Sequence, residues 1–296
     1  MKEVSLLVLD VGGTKINIGH FVNNKIKKNT RYYFSEKEED VTVTDFLILC
    51  IQQQLLNSVD AISIGVPSIV DVESGMVFDA VNIESWKELN LKEILELRFS
   101  LPVYINNDAN CFAMGEAIGL SITSDMMGVC LGTGIGAGIV IDGKSLMGEN
   151  CSAGEIGCIP YLNGTFDDYC SGKFFIDHYQ KSAEELAAKA FLGDDKAKES
   201  FVQFGEHLGN AIIISLLLMD PPVIVIGGSI SKAFELFIHS VWKKLESFPY
   251  QRSIKKLKIV CSEQKDSALI GAAHLYLQYK SNHMSSCHSN IKMCEA

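Results

Sequence analysis

The chain has 296 residues, 47% hydrophobic and 21% charged, a globular balance that allows two lobes, each with its own core. Its formal net charge of −10 argues against a grip on nucleic-acid phosphates, which calls for a basic stripe, and the densest basic stretch, Ile254–Lys258 (IKKLK), reads as a solvated strand or turn. No apolar run approaches the roughly 18 residues that span a bilayer, and the opening MKEVSLLVLDVGG lacks a small-residue cleavage site, so neither a membrane span nor a secretory signal is expected.

In chain order, Val4–Leu9 reads as a strand, Gly12-Gly13 as a turn and Ile16–Val22 as a second strand closed by Asn23-Asn24. Apolar residues at helical spacing place a helix over 44–57. Ala61–Val66 is a buried strand ending at Pro67, residues 90–98 a helix, Val103–Ile105 a short strand and 109–119 a helix. The opening pattern then recurs: strand Met127–Leu131, glycine turn Gly132–Gly136, strand Ala137–Ile141, turn Asp142-Gly143. This repetition predicts a structural duplication, two similar lobes facing a cleft. Residues 181–218 are mostly helical, broken near Gly193 and ended by Asp220-Pro221-Pro222. Val223–Ile226 is a strand, Gly227-Gly228 turns into a helix reaching about Leu245, Ile259–Cys261 is a last strand and Ser267–Tyr279 a final helix. The lobes are set at 1–107, joined by the returning helix 267–280, and 108–266, with 281–296 as a disordered tail.

Nine cysteines are an odd count, and Cys50, Cys111 and Cys130 lie in apolar runs, so buried free thiols in a reducing cytoplasm are expected rather than a disulfide framework. The three glycine turns each follow a buried strand, where glycine lets backbone N–H groups approach anionic oxygen. Gly132-Thr133-Gly134-Ile135-Gly136-Ala137 formally fits a dinucleotide fingerprint, but it opens a strand, GIVIDG, where that fingerprint opens a helix. No GxxxxGK[ST] is present, which excludes a P-loop.

LDVGGTK (9–15), INNDANCFAMGEA (105–117), LGTGIGAGIVIDGKSLMG (131–148), AGEIG (153–157) and DPPVIVIGGSIS (220–231) together resemble the ROK family of bacterial sugar kinases and sugar-responsive repressors, in matching order from about residue 5 to 278. The resemblance implies an α/β, two-lobed, actin/hexokinase-like (ribonuclease H-like) fold, each lobe built on a five-stranded sheet, closing on ATP and sugar. By that resemblance Asp10 stands near Mg²⁺ and the phosphates, and Gly12, Gly13, Thr14 and Lys15 form the first phosphate loop. Gly132, Thr133 and Gly134 form the second, and Gly227 and Gly228 the adenosine-side turn. Asn107 and Asp108 hold the sugar, with Asp108 as general base; Glu155 and Asn82 contact its hydroxyls. A carboxylate between a short strand and a helix, as Asp108 is, suits this task, since phosphoryl transfer needs positioning, charge neutralisation by Mg²⁺ and a group to take the hydroxyl proton. The same position suits a plain helix N-cap.

The chain departs from the family where GEIGH and a zinc-binding cysteine loop are usual. Here Cys158 replaces the histidine and Pro160–Phe166 is short and lacks the cysteines, so zinc is not expected. Asp167 stands where a longer glutamate reaches the sugar. The expectation is a cytoplasmic, homodimeric, ATP- and Mg²⁺-dependent kinase acting on the 6-hydroxyl of glucose or a close epimer. An N-acetylhexosamine or fructose kinase is the alternative, and a non-catalytic sugar-binding or regulatory protein the reading from another class. A repressor of the family carries a DNA-binding segment before the sugar domain, whereas here the first phosphate loop starts at Asp10.

Overall fold

The computed structural model describes residues 3–80 and 83–292, with side chains to residue 280. The chain divides into two compact units, Met1–Ile118 with Gly148–Cys151 and Lys265–Ala296, and Gly119–Met147 with Ser152–Gln264. The helix that begins at Asp108 therefore belongs to the first unit, where the sequence had set it at the head of the second lobe.

In the first unit β1 (Ser5–Val11) pairs antiparallel with β2 (Lys15–Val22), and β2 with β3 (Lys25–Tyr33). Asn23 and Asn24, at φ 54° and 60°, make the two-residue turn between β2 and β3. Helix α1 (Val43–Gln54), capped by the Thr42 hydroxyl, leads to β4 (Ala61–Val66). A small antiparallel sheet of β5 (Ile69–Asp71), β6 (Met76–Phe78) and β7 (Glu88–Asn90) follows. Then come α2 (Leu91–Phe99), β8 (Val103–Asn107) and α3 (Asp108–Gly119). The main sheet has the order β3-β2-β1-β4-β8. Its β1 is apolar from Leu6 to Leu9 because both faces are covered. Leu7 and Leu9 face Leu47, Ile51 and Leu95, whereas Leu6 and Val8 face Cys111, Leu269 and Ala273.

In the second unit β9 (Met126–Leu131), β10 (Ile135–Ile141) and β11 (Lys144–Ser145) run antiparallel. The hairpin β12 (Pro160–Tyr161) and β13 (Gly164–Thr165) precedes α4 (Phe166–Tyr169), α5 (Gly172–Tyr179), α6 (Ala183–Phe191) and α7 (Asp195–Met219). Strand β14 (Val223–Gly227), α8 (Phe234–Leu245), α9 (Gln251–Ile254) and β15 (Lys258–Cys261) complete it. The order β11-β10-β9-β14-β15 repeats the first unit strand for strand, antiparallel at the hairpins and parallel beyond, so the duplication expected from the glycine turns is present. Helix α7 is long and apolar enough to cross a membrane, but its Phe201, Phe204, Leu208, Ile212 and Leu216 are buried in the core of this unit.

The C-terminal helix, Ser267–Lys292, belongs to the first unit and packs on its sheet. It runs past Tyr279 into residues expected to form a disordered tail; no glycine or proline interrupts the stretch 280–292. It crosses α3 at glycines. A Cβ on Gly271 would lie 1.7 Å from the Cys111 carbonyl oxygen, and one on Gly115 1.9 Å from that of Ser267. At this junction the Ser267 hydroxyl donates to the buried Glu116 carboxylate.

Alanine favours a helix over glycine by about 1 kcal/mol, so Gly271→Ala would stabilise an isolated helix. Here the crossing opposes it, and overpacking costs about 1–3 kcal/mol. Gly271→Ala is therefore expected to lower the urea midpoint of unfolding. A raised midpoint would mean that the helices do not cross this closely.

Candidate active site

In the first unit the strand register sets the chemistry. Asp10 on β1 lies opposite Gly65 on β4, and Gly65 opposite Asn106 on β8. Asp10 and the β8–α3 junction thus share one end of the sheet. A Cβ on Gly65 would meet the Asp108 Cα at 3.4 Å and Cys111 Sγ at 3.3 Å, so glycine lets the first turn of α3 settle close to β4. Burial pushes the Cys111 thiol well up, and the nearby Asp108 and Asp10 carboxylates add to the shift.

Asn107 caps α3. Its side-chain oxygen accepts from the Asn110 N–H at 3.1 Å, and its amide donates to the Ser68 carbonyl at 3.2 Å. The cap position therefore falls to Asn107, and Asp108 is the first helical residue, half-buried, with its Oδ1 2.8 Å from the Ala109 N–H. Asn82 lies outside the described residues.

Asp10 is half-buried and accepts a hydrogen bond from Asn17 Nδ2 at 2.9 Å. Burial raises its pKa; the Asn17 bond and the Lys15 and Arg31 charges work the other way. In the adjoining hairpin the Gly12 N–H donates to the Lys15 carbonyl at 2.9 Å, and Thr14 is exposed. Gly12 is not left-handed, and a Cβ there would meet only Lys15 O, at 3.6 Å. Neither the fold nor the local backbone requires glycine at this position, so the space above it is available to a ligand. An open backbone turn beside a carboxylate is an arrangement suited to a phosphate that carries a divalent cation.

The second unit repeats this arrangement at Gly132-Thr133-Gly134, with Thr133 exposed and Gly132 similarly open, since its Cβ would meet only Ser229 Oγ at 3.7 Å. The β14 turn lies alongside: Gly227 pairs with Cys130, and Gly228, at φ 91°, is pressed so close that a Cβ would sit 2.3 Å from the Leu131 carbonyl. Gly228 is thus glycine for internal reasons, unlike Gly12 and Gly132.

Asp167 holds the second turn. Its Oδ1 accepts from the Ile135 N–H at 2.8 Å and its Oδ2 from Lys173 Nζ. Ser171, at the α5 cap, lies in DDYCSG (167–172), which resembles the family's E-x-x-x-S-G, whereas nothing in the sequence marks Lys173. The Ser171 hydroxyl donates to the Asp167 carbonyl at 2.6 Å, and the Gly172 N–H donates to the Gly132 carbonyl at 2.8 Å. Glu155 is half-buried, which raises its pKa. Gly154 before it, at φ 94°, is pressed onto β10, where a Cβ would lie 2.2 Å from the Ala137 carbonyl. Cys158 is exposed; burial, Glu155 and Asp167 raise its pKa, and Lys173 opposes them.

The short loop that lacks the cysteine cluster is held by aromatic packing. Tyr161 stacks on Phe166 with centroids 4.4 Å apart, Asn210 Nδ2 donates to the Tyr161 oxygen at 2.9 Å, and that hydroxyl lies 3.1 Å from His207 Nδ1. Cys170 is buried in the same apolar core.

Asp167→Ala would strand the buried Ile135 N–H, which costs about 1–3 kcal/mol. Lys173→Met removes only a half-exposed partner, worth about 0–1 kcal/mol. Urea unfolding should rank the two variants in that order. Equal effects would mean that the ion pair, not the bond to the turn, is what Asp167 supplies.

Comparison with known proteins bears on both units. The N-acetyl-D-glucosamine kinase of Vibrio parahaemolyticus is 31% identical, over 91% of this chain and 98% of its own length. A ROK family glucokinase from Streptomyces griseus, solved with glucose and AMPPNP, superposes at TM-score 0.77 with 24% identity, covering 92% of this chain and 98% of its own. A ROK family transcriptional regulator, a homologue of the E. coli MLC protein, superposes at 0.81 with 23% identity over 93% of this chain and 78% of its own. The two structural likenesses show the shared actin/hexokinase-like fold. The ROK family model matches residues 6–279, and with a relative at this identity over nearly the whole length, the chain belongs to the ROK family.

Proposed function

We propose that this ROK-family sugar kinase transfers the γ-phosphoryl group of ATP to the 6-hydroxyl of N-acetyl-D-glucosamine. The observation that carries the acceptor is the 31% identity to the Vibrio parahaemolyticus N-acetyl-D-glucosamine kinase along 91% of the chain. It moves the acceptor from glucose or a close epimer, expected from the sequence, to the N-acetylhexosamine alternative.

In this reading Asp108 takes the proton of the acceptor hydroxyl as its oxygen bonds to phosphorus and the bond from phosphorus to the ADP oxygen breaks. Asn107 as the cap supports the assignment, because Asp108 is then not required for that task. Asn82, Asn107, Glu155 and Cys158 bind the sugar. Gly12, Gly13, Thr14 and Lys15, and Gly132, Thr133 and Gly134, bind phosphate, and Gly227 and Gly228 lie at the nucleoside end. Mg²⁺, when bound with ATP, neutralises phosphate charge, and Asp10 is the residue proposed to meet it. For Asp167 the proposal departs from the family pattern. With one oxygen on the Ile135 N–H and the other on Lys173, it serves the second phosphate turn better than the sugar. The proposal includes the homodimer and cytoplasmic setting implied by the family resemblance, and assigns no role to zinc.

kcat/KM for N-acetylglucosamine, glucose, mannose, fructose and 6-deoxyglucose, measured as ADP release with Mg²⁺, tests the acceptor. N-acetylglucosamine should exceed glucose by at least about tenfold, and the 6-deoxy sugar should give no product. Glucose as the better substrate would restore the original expectation. Release of ADP with none of these sugars would favour the non-catalytic reading.

A further inference from the structure

Asn17 is a buried polar residue between Ile16 and Ile18, both fully buried, on a strand whose other core positions are mostly apolar. A lone amide there weakens the core unless both its ends are bonded. Both are. Its Nδ2 donates to Asp10 Oδ2 at 2.9 Å, and its Oδ1 accepts from Arg31 Nε at 2.8 Å. The register makes this a straight cross-strand row, Asp10 on β1 opposite Asn17 on β2, and Asn17 opposite Arg31 on β3. Arginine has only donors, so the amide oxygen must turn to Arg31 and the amide nitrogen to Asp10. The exposed cation at the sheet edge therefore fixes the amide, and the amide fixes one carboxylate oxygen.

We propose that Asn17 and Arg31 are positioning residues that hold Asp10 Oδ2 and so set the carboxylate's other oxygen toward the Mg²⁺ of bound ATP. The proposal rests on the kinase reading for the role of Asp10. Its own content is the relay, in which Arg31 acts through Asn17 without touching the ligand. Lys15 and Arg31 also favour the ionised form of Asp10 against its burial.

Calorimetry of ATP binding without sugar, once with Mg²⁺ and once with EDTA, separates the relay from a general effect on the fold. The wild type should bind ATP more tightly with Mg²⁺. Asn17→Leu, similar in size, should lose about tenfold of that gain, the effect of one hydrogen bond to a charged group, while the EDTA value stays unchanged. Arg31→Met lies on the exposed edge strand and should fold; it should shift the Mg²⁺ value in the same direction, and Arg31→Lys should restore part of it. If both values weaken together, or the Mg²⁺ gain persists in Asn17→Leu and Arg31→Met, the relay is wrong. A wild type that binds no ATP under either condition would instead overturn the kinase reading, and the relay with it.

Discussion

Near the C-terminal end of β4 the chain places a glycine, Gly65, between Asp10 on one side and Asn106 on the other. The absent side chain is what allows the first turn of α3 to come within 3.4 Å of that position. A methyl there would already touch Cys111 Sγ at 3.3 Å, so a side chain longer than alanine's would press on the first turn of α3 that carries Asp108. The proposed base and the proposed metal-facing carboxylate are thus set relative to each other by one strand register and one missing side chain. The glycine crossing with the C-terminal helix holds α3 one turn further on, at Cys111 and Gly115. Asp108 therefore sits at the head of a helix that close backbone packing holds at two places.

The two units use the same strand order and the same hairpin, yet secure their glycine turns differently. The first turn is backed by charge, through Asn17 and Arg31 to Asp10. The second is backed by a side chain from outside the sheet, Asp167, tied to Ile135 and Lys173. The open space above Gly12 and Gly132, against the filled space above Gly228, separates glycines that suit a ligand from a glycine that suits the fold.

Much of this was legible in the sequence because it is local. Strands buried on both faces read as apolar runs, the turn residues Asn23, Asn24 and Asp142 adopt the left-handed backbone their chemistry favours, and Pro221 follows the end of α7. What was missed depends on partners distant in sequence or on weak local patterns. Strand β3 is mostly exposed and lysine-rich, and β5–β7, β12 and β13 are too short for alternation to register. Asp167 could be aligned with a sugar ligand but not seen to bind Ile135, because that contact joins a hairpin to a distant helix. Asn17 did carry a signal, a polar residue at a core position of an apolar strand, which marks a buried hydrogen bond.

The central claim is that the chain moves phosphate to a sugar with Asp108 as the base. Turnover of Asp108→Asn at saturating ATP, Mg²⁺ and N-acetylglucosamine tests it most directly. Because Asn107 supplies the cap, the variant should fold and still bind the sugar, with turnover lower by about 10²–10⁴-fold. Turnover near that of the wild type would contradict the account.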